Sequence, residues 1–156
     1  MIKINVLSEE KSWTKKLKKK EFFFNNLCKL FPKKFKFVNK KIYLTLLLSN
    51  NKNIKKLNKK FRNKNKHTDI LSFPFKQKKK LKEDYLGDII ISYNYMNKPK
   101  NLNTHEFKEK VTKIFIHGFL HLLGFDHVKK KDYLKMFSEE EKIFKSIKKI
   151  KIMKKC

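Results

Sequence analysis

Three histidines lie within the eleven residues from His117 to His127, in the segment IHGFLHLLGFDH. An apolar stripe at helical spacing predicts a helix over about 104–123. Because His117 and His121 are four residues apart, their imidazoles share one face of that helix, one turn apart. Gly124 can adopt the left-handed conformation that ends a helix, so the chain turns back and His127 reaches the same place. The segment therefore predicts three imidazoles around one metal ion.

The set of three nitrogen donors indicates the kind of ion. Three histidine ligands leave a fourth position for water, which is typical of a catalytic rather than a structural zinc site. Imidazole also binds nickel, copper and iron, so we expect one Zn²⁺ ion and leave other divalent transition metals open. An ordinary core or surface position explains one histidine, but it does not explain three at this spacing.

The histidine spacing is also that of the metzincin protease signature H-E-x-x-H-x-x-G-x-x-H, with one difference. Gly118 stands where that signature has the glutamate that serves as general base. Glycine cannot take a proton from water. The sequence therefore disfavours peptide hydrolysis, unless a carboxylate from elsewhere in the fold substitutes.

The charge of the chain leaves two explanations open. Lysine and arginine number 42 against 14 acidic residues, and the net charge of +28 favours a polyanion such as nucleic acid as partner. However, Arg62 is the single arginine and alanine is absent, a composition typical of a strongly AT-biased genome. The retained arginine is informative, because a guanidinium binds phosphate or carboxylate through two hydrogen bonds that lysine cannot copy. Arg62 is therefore a candidate for binding phosphate.

The remaining patterns predict one domain over residues 1–156. The predicted strands are Ile2–Leu7, Ile42–Ser49, Thr68–Phe75 and Leu86–Ser92, and the further predicted helices are Thr14–Leu30, about 51–62 and about 130–150. The dense apolar run of the second strand suits the centre of a sheet, and Pro74 places the third at an edge. We expect a polar connection over 76–84 and a frayed tail after residue 150. Strands and helices without regular alternation indicate an α+β or α/β layer structure.

Neither a membrane span nor a disulfide framework is expected. No stretch approaches the roughly 18 apolar residues that a transmembrane helix needs. The two cysteines, Cys28 and Cys156, are far apart and do not share a metal-binding spacing. We therefore expect a soluble protein of the cytoplasm.

Three segments resemble the YbeY endoribonucleases, a family also called rRNA maturation factors, and they occur in the family's order. HGFLHLLGFDH is similar to the hallmark H-G-x-L-H-L-x-G-Y-D-H, with Phe125 where the family has tyrosine. Arg62 followed by TDILSFP at 68–74, and LGDIIIS at 86–92, resemble two further blocks of the family. The resemblance covers about residues 42–140.

The resemblance implies a small mixed sheet with helices packed around it, and we predict the α+β class with a metal site on a histidine-bearing helix. It implies a zinc-dependent endoribonuclease that cleaves single-stranded RNA in 3′-end maturation of 16S rRNA and in ribosome quality control. The zinc ligands would be His117, His121 and His127, and the active-site arginine would be Arg62. Partners would be the small-subunit rRNA and the ribosome, and we expect neither a membrane nor DNA.

Two other function classes stay open. One is a ribosome-associated RNA-binding factor whose metal is structural, and the other is a metalloprotease-like hydrolase. The general base is unassigned. Asp126 either orients an imidazole or forms a turn, and Phe73 and Phe75 either stack on bases or pack in the core.

Overall fold

One mixed β-sheet organises the fold in the computed structural model, which describes residues 1–76 and 83–153. The strands of the described residues are β1 (Ile2–Ser8), β2 (Lys41–Ser49), β3 (Ile70–Pro74) and β4 (Glu83–Ser92), in the spatial order β1-β2-β4-β3. β1, β2 and β4 run parallel, and β3 pairs antiparallel with β4. The predicted α+β class is confirmed, with β2 inside the sheet and β3 at its edge.

Helices precede, connect and follow the strands. They are α1 (Ser12–Lys16), α2 (Lys20–Lys29), a 3-10 turn (Lys33–Phe35), α3 (Asn51–Arg62), α4 (Tyr93–Met96), α5 (Thr104–Leu122) and α6 (Lys130–Met153). α3 and α5 confirm the helices predicted at about 51–62 and about 104–123. α6 continues three residues past its predicted end, and residues 154–156 of the expected frayed tail lie outside the described residues. None of the helices in the described ranges is long and apolar enough to cross a membrane.

The single helix predicted over 14–30 is wrong, because the chain breaks between α1 and α2. Leu17 leaves the helical conformation with φ −131° and ψ 83°. The lysines around it lie three and four residues apart, a spacing at which like charges repel on a helix. The two halves are also held by different strands: Trp13 Nε1 donates to the carbonyl of Ser49 at 2.9 Å, and Asn25 exchanges hydrogen bonds with the backbone of Ile4.

The fourth strand begins at Glu83 rather than at the predicted Leu86. Its polar first residues pair with β2, where Lys41 lies opposite Glu83 and Ile42 opposite Asp84. Backbone pairing with a neighbouring strand therefore extends β4 beyond its apolar run. Residues 77–82 of the expected polar connection lie outside the described residues.

The two faces of the sheet carry different helices. Along β4, Ile89 and Ile91 belong to the main core, which also contains the buried side of α5, whereas Ile90 packs with Ile54 of α3. Alternate residues of a strand point to opposite faces, so α5 and α3 lie on opposite sides of the sheet. α5 supplies Phe107, Val111, Phe115, Ile116, Phe119, Leu120 and Leu122 to the main core.

Gly118 lets α5 approach the sheet closely. A Cβ atom at this position would lie 2.7 Å from Ile70 Cδ1, 3.1 Å from Ser72 Oγ and 3.2 Å from Ile89 Cγ2. These distances are shorter than ordinary packing allows, so a side chain here would require these neighbours on β3 and β4 to shift. The glycine that replaces the metzincin glutamate is therefore explained by packing.

Candidate metal centre

The end of α5 brings three imidazoles together. One possible ligand atom from each of His117, His121 and His127 lies within 4.8 Å of the other two. The Nε2 atoms of His117 and His121 are 3.1 Å apart. The ring centroid of His127 is 5.4 Å from that of His117 and 4.9 Å from that of His121. These three side chains can therefore hold one metal ion.

A turn centred on Gly124 returns the chain to the end of α5. The backbone N–H of Gly124 donates to the carbonyl of His121 at 3.0 Å, and that of Phe125 donates to Leu120 at 3.0 Å. Gly124 has a φ of +94°, which L side chains rarely adopt. This is the hydrogen-bond pattern of a Schellman cap. The predicted helix end is confirmed, and it places His127 beside the two histidines of the helix.

The same turn orients the imidazole of His121. Its Nδ1 lies 2.9 Å from the carbonyl oxygen of Phe125, so the ring donates through Nδ1 and directs Nε2 toward His117. Burial lowers the pKa of His121, and the neighbouring His117 lowers it further. Both effects favour the neutral ring, which is the form that binds a metal ion.

A carboxylate from α6 orients the imidazole of His117. Glu140 Oε1 lies 2.6 Å from His117 Nδ1, and both side chains are about three-quarters buried. An Nδ1–H that donates to this carboxylate leaves Nε2 free as a metal ligand. Outer carboxylates of this kind fix the tautomer and increase the basicity of a ligand histidine. Sequence reasoning missed Glu140, and its place in the run Glu139–Glu141 carries no signal that separates it from its neighbours.

His127 leaves one side of the centre open to solvent, because its side chain is exposed. A cavity of about 100 Å³ adjoins it, lined by His117, His127, Tyr133, Met136, Phe137 and Glu140. A molecule that enters this cavity therefore meets two of the three imidazoles.

Asp126, which the sequence offered as a partner for a histidine, and two aspartates of the sheet region all make local hydrogen bonds. Asp126 Oδ1 accepts from the backbone N–H of His127 at 2.7 Å, which favours the turn-forming alternative. Asp69 Oδ1 accepts from the N–H of Ile70 at 2.8 Å. Asp88 accepts from the hydroxyl of Tyr85. The carboxylate that contacts the cluster is thus on α6.

Arg62 lies at the end of α3, and it is not one of the residues that line the cavity at the histidines. Its Nη2 donates to the carbonyl of Ser72 at 3.4 Å, and its guanidinium carbon is 5.9 Å from the ring centre of Phe73. No carboxylate of residues 1–76 or 83–153 forms an ion pair with this exposed side chain, so its donors remain available to an anion. Ser72 connects the two regions, because its backbone contacts Arg62 while its side chain faces Gly118 of α5.

The two phenylalanines considered for base stacking differ in their surroundings. Phe73 is partly buried and packs with Leu71 and Ile90 on the α3 side of the sheet. Phe75 is 55% exposed, with its ring centre 5.6 Å from that of Tyr85. Core packing therefore explains Phe73, and neither ring lines the cavity at the histidines.

Comparisons with known proteins find similar sequences that share one name. The family model described as "Endoribonuclease YbeY" matches residues 5–148. A Pelagibacter ubique protein named "Endoribonuclease YbeY" is 66% identical over 149 residues, which cover 95% of this chain and 97% of the relative. A protein of the same name from Persephonella marina is 37% identical over 108 residues, covering 68% of this chain and 71% of the relative.

The fold is similar to that of a Thermotoga maritima protein whose structure was determined in solution. The TM-score is 0.55 at 24% identity, and the alignment covers 94% of this chain and 89% of the other. At this identity the likeness concerns the fold alone. The family match over nearly the whole sequence and the 66% identical relative lead to one conclusion: the chain belongs to the YbeY endoribonuclease family.

Proposed function

We propose that this protein is a zinc-dependent endoribonuclease of the cytoplasm that cleaves single-stranded RNA. Its substrate is the 3′ region of 16S rRNA, and its role is in rRNA maturation and ribosome quality control. The observation that carries the proposal is the convergence of His117, His121 and His127 at an open position on the surface. Membership of the YbeY endoribonuclease family supports the choice of RNA as substrate.

The geometry of the imidazoles fits a zinc ion. Two ligands at about 2.0–2.1 Å from a tetrahedral zinc lie about 3.3–3.4 Å apart. The 3.1 Å between Nε2 of His117 and Nε2 of His121 is close to that spacing. Nδ1 of each of these two rings is hydrogen-bonded, so Nε2 carries the lone pair that can bind the ion.

Each group has a separate part in the reaction. When bound, the ion acts as a Lewis acid toward the phosphodiester and lowers the pKa of coordinated water. Arg62 holds a phosphate of the RNA through its fork of donors and offsets the charge that develops during cleavage. The lysines attract the RNA backbone without regard to sequence, in a manner that weakens with added salt.

Cleavage of an rRNA fragment with a single-stranded 3′ tail tests the proposal. The zinc-loaded protein is compared with His121→Ala, which removes a ligand, and with His105→Ala, which removes an exposed histidine at the other end of α5. We expect cleavage by the first and third proteins and none by the second. Equal cleavage by all three would indicate a contaminating nuclease and contradict the proposal.

The rival functions predict different results in the same experiment. A binding factor with a structural metal would bind the fragment and leave it intact. A metalloprotease needs a carboxylate as general base, yet Glu140 contacts the nitrogen of His117 that faces away from His121. Gly118 cannot supply one either. Cleavage of a peptide substrate in place of RNA would favour the protease.

A further inference from the structure

Two aromatic side chains stand exposed beside the histidine cluster. Tyr133 and Phe137 lie one turn apart on α6, with ring centres 6.3 Å apart and ring planes only 15° from parallel. Tyr133 is 52% and Phe137 is 49% exposed. A single exposed apolar side chain is ordinary, but two neighbouring aromatic rings at the mouth of a site form an apolar surface that favours a ligand.

The position of the two rings ties them to the substrate of the metal centre. Both line the cavity of about 100 Å³ that His117 and His127 also line. A molecule that enters this cavity can therefore contact the rings and the imidazoles together. The cavity has room for one flat group and not for a folded segment of another protein.

The charge around the rings favours an anionic ligand. The segment 129–137, which carries both rings, has four lysines, at 129, 130, 131 and 135, against one acidic residue, Asp132. The carboxylate of Glu140, which also lines the cavity, is engaged by His117. Proteins that bind single strands combine such cations with aromatic rings on which unpaired bases stack.

We infer that Tyr133 and Phe137 form a stacking surface for one unpaired base of the RNA, next to the phosphate held at the metal centre. The inference rests on the proposed function and adds a physical basis for its strand preference. A base in a duplex has both faces covered by its neighbours, whereas an unpaired base can turn out of the chain and lie on these rings. The surface thus selects single strands without reading their sequence.

The test combines changes in the protein with removal of one base from the RNA. An unstructured oligoribonucleotide is compared with copies that carry one abasic ribose at successive positions. Binding is measured by fluorescence anisotropy at fixed salt, and cleavage is measured separately. The proteins are the wild type, Tyr133→Ala/Phe137→Ala, and the control Leu134→Ala, which removes an exposed side chain of the same helix that does not line the cavity.

We expect the losses of binding affinity caused by the missing base and by the missing rings to be non-additive. At one position, the missing base weakens binding to the wild type and to Leu134→Ala by about 5- to 150-fold. The double variant binds the intact RNA more weakly by a similar factor and shows no further loss on that abasic RNA. Equal zinc content and equal Trp13 fluorescence show that the double variant is folded. Tyr133→Phe retains the ring and should bind like the wild type.

Two outcomes would overturn the inference. Unchanged binding of intact RNA by the double variant would indicate that the rings contact something else, such as a protein partner. The second outcome is that the abasic ribose weakens binding to the double variant as much as binding to the wild type at every position. Other residues would then contact the bases. Binding is measured apart from cleavage, so the two proposals can fail separately. A wild type that binds RNA without cutting it would contradict the proposed function. The comparison of binding affinities would still test the stacking surface.

Discussion

Glu140 Oε1 lies 2.6 Å from Nδ1 of His117, so a carboxylate of α6 orients an imidazole that α5 supplies. The two residues are 23 positions apart and belong to different helices. α6 is held in turn by Ser146, whose hydroxyl donates to the carbonyl of Leu30 at 2.9 Å, and by the ion pair of Glu139 with Lys34. The packing of the last helix therefore affects the geometry of the candidate metal centre.

Replacement of Glu140 by glutamine should weaken metal binding. The amide cannot stabilise the ring of His117 by charge, and loss of such an outer partner lowers metal affinity by about 10- to 100-fold. Competition with a coloured chelator measures the affinity directly. Glu141→Gln removes the same charge from the next residue and should bind the metal like the wild type. Equal affinities for all three proteins would mean that Glu140 does not act on the metal centre.

Replacement of Arg62 by lysine should impair cleavage more than binding. Lysine retains the charge that attracts the RNA backbone, but it lacks the planar fork that holds a phosphate. We expect the turnover of single-stranded RNA to fall by about 100-fold, with little change in anisotropy-measured affinity. Lys59→Arg in the same turn of α3 is the control and should retain activity. A fully active Arg62→Lys variant would favour the binding-factor alternative.

Replacement of Gly118 by alanine should lower the free energy of unfolding. The new Cβ atom would lie 2.7 Å from Ile70 Cδ1, and accommodating it costs about 1–3 kcal/mol. This cost outweighs the gain of up to about 1 kcal/mol that alanine has over glycine inside a helix. Urea denaturation, followed through the fluorescence of the buried Trp13, measures the change. Adding Ile70→Val removes the nearest obstructing atom and should restore part of the stability. A more stable Gly118→Ala variant would contradict the close approach of α5 to the sheet.

The thiol of Cys28 should be unreactive in the folded protein. The side chain is buried, and burial raises the pKa of the thiol, so little of the reactive thiolate is present at pH 8. In a Cys156→Ser chain, where Cys28 is the remaining cysteine, a disulfide reagent should react slowly without denaturant and rapidly in concentrated urea. Rapid labelling without denaturant would show that the side of α2 that carries Cys28 is not buried against the core.

The sequence by itself determined the features that depend only on residues close together in the chain. The spacing of His117 and His121 places both on one helical face, and Gly124 ends the helix because it accepts a positive φ. The apolar run of β2 and the proline of β3 predicted their places in the sheet, because burial and a missing backbone donor act within a single strand. The meeting of the three imidazoles followed from these local rules, whereas the choice of α+β over α/β came with the resemblance to a known family.

The tertiary structure decided whatever depends on contacts between distant segments. Glu140 could not be told from Glu139 or Glu141 until α6 was packed beside α5. The break between α1 and α2 depends on which strands hold Trp13 and Asn25. The approach of Tyr133 and Phe137 to the histidines likewise requires α6 to pack beside the end of α5. Sequence patterns report each residue's immediate neighbours, whereas these contacts are set by how the helices and the sheet pack together.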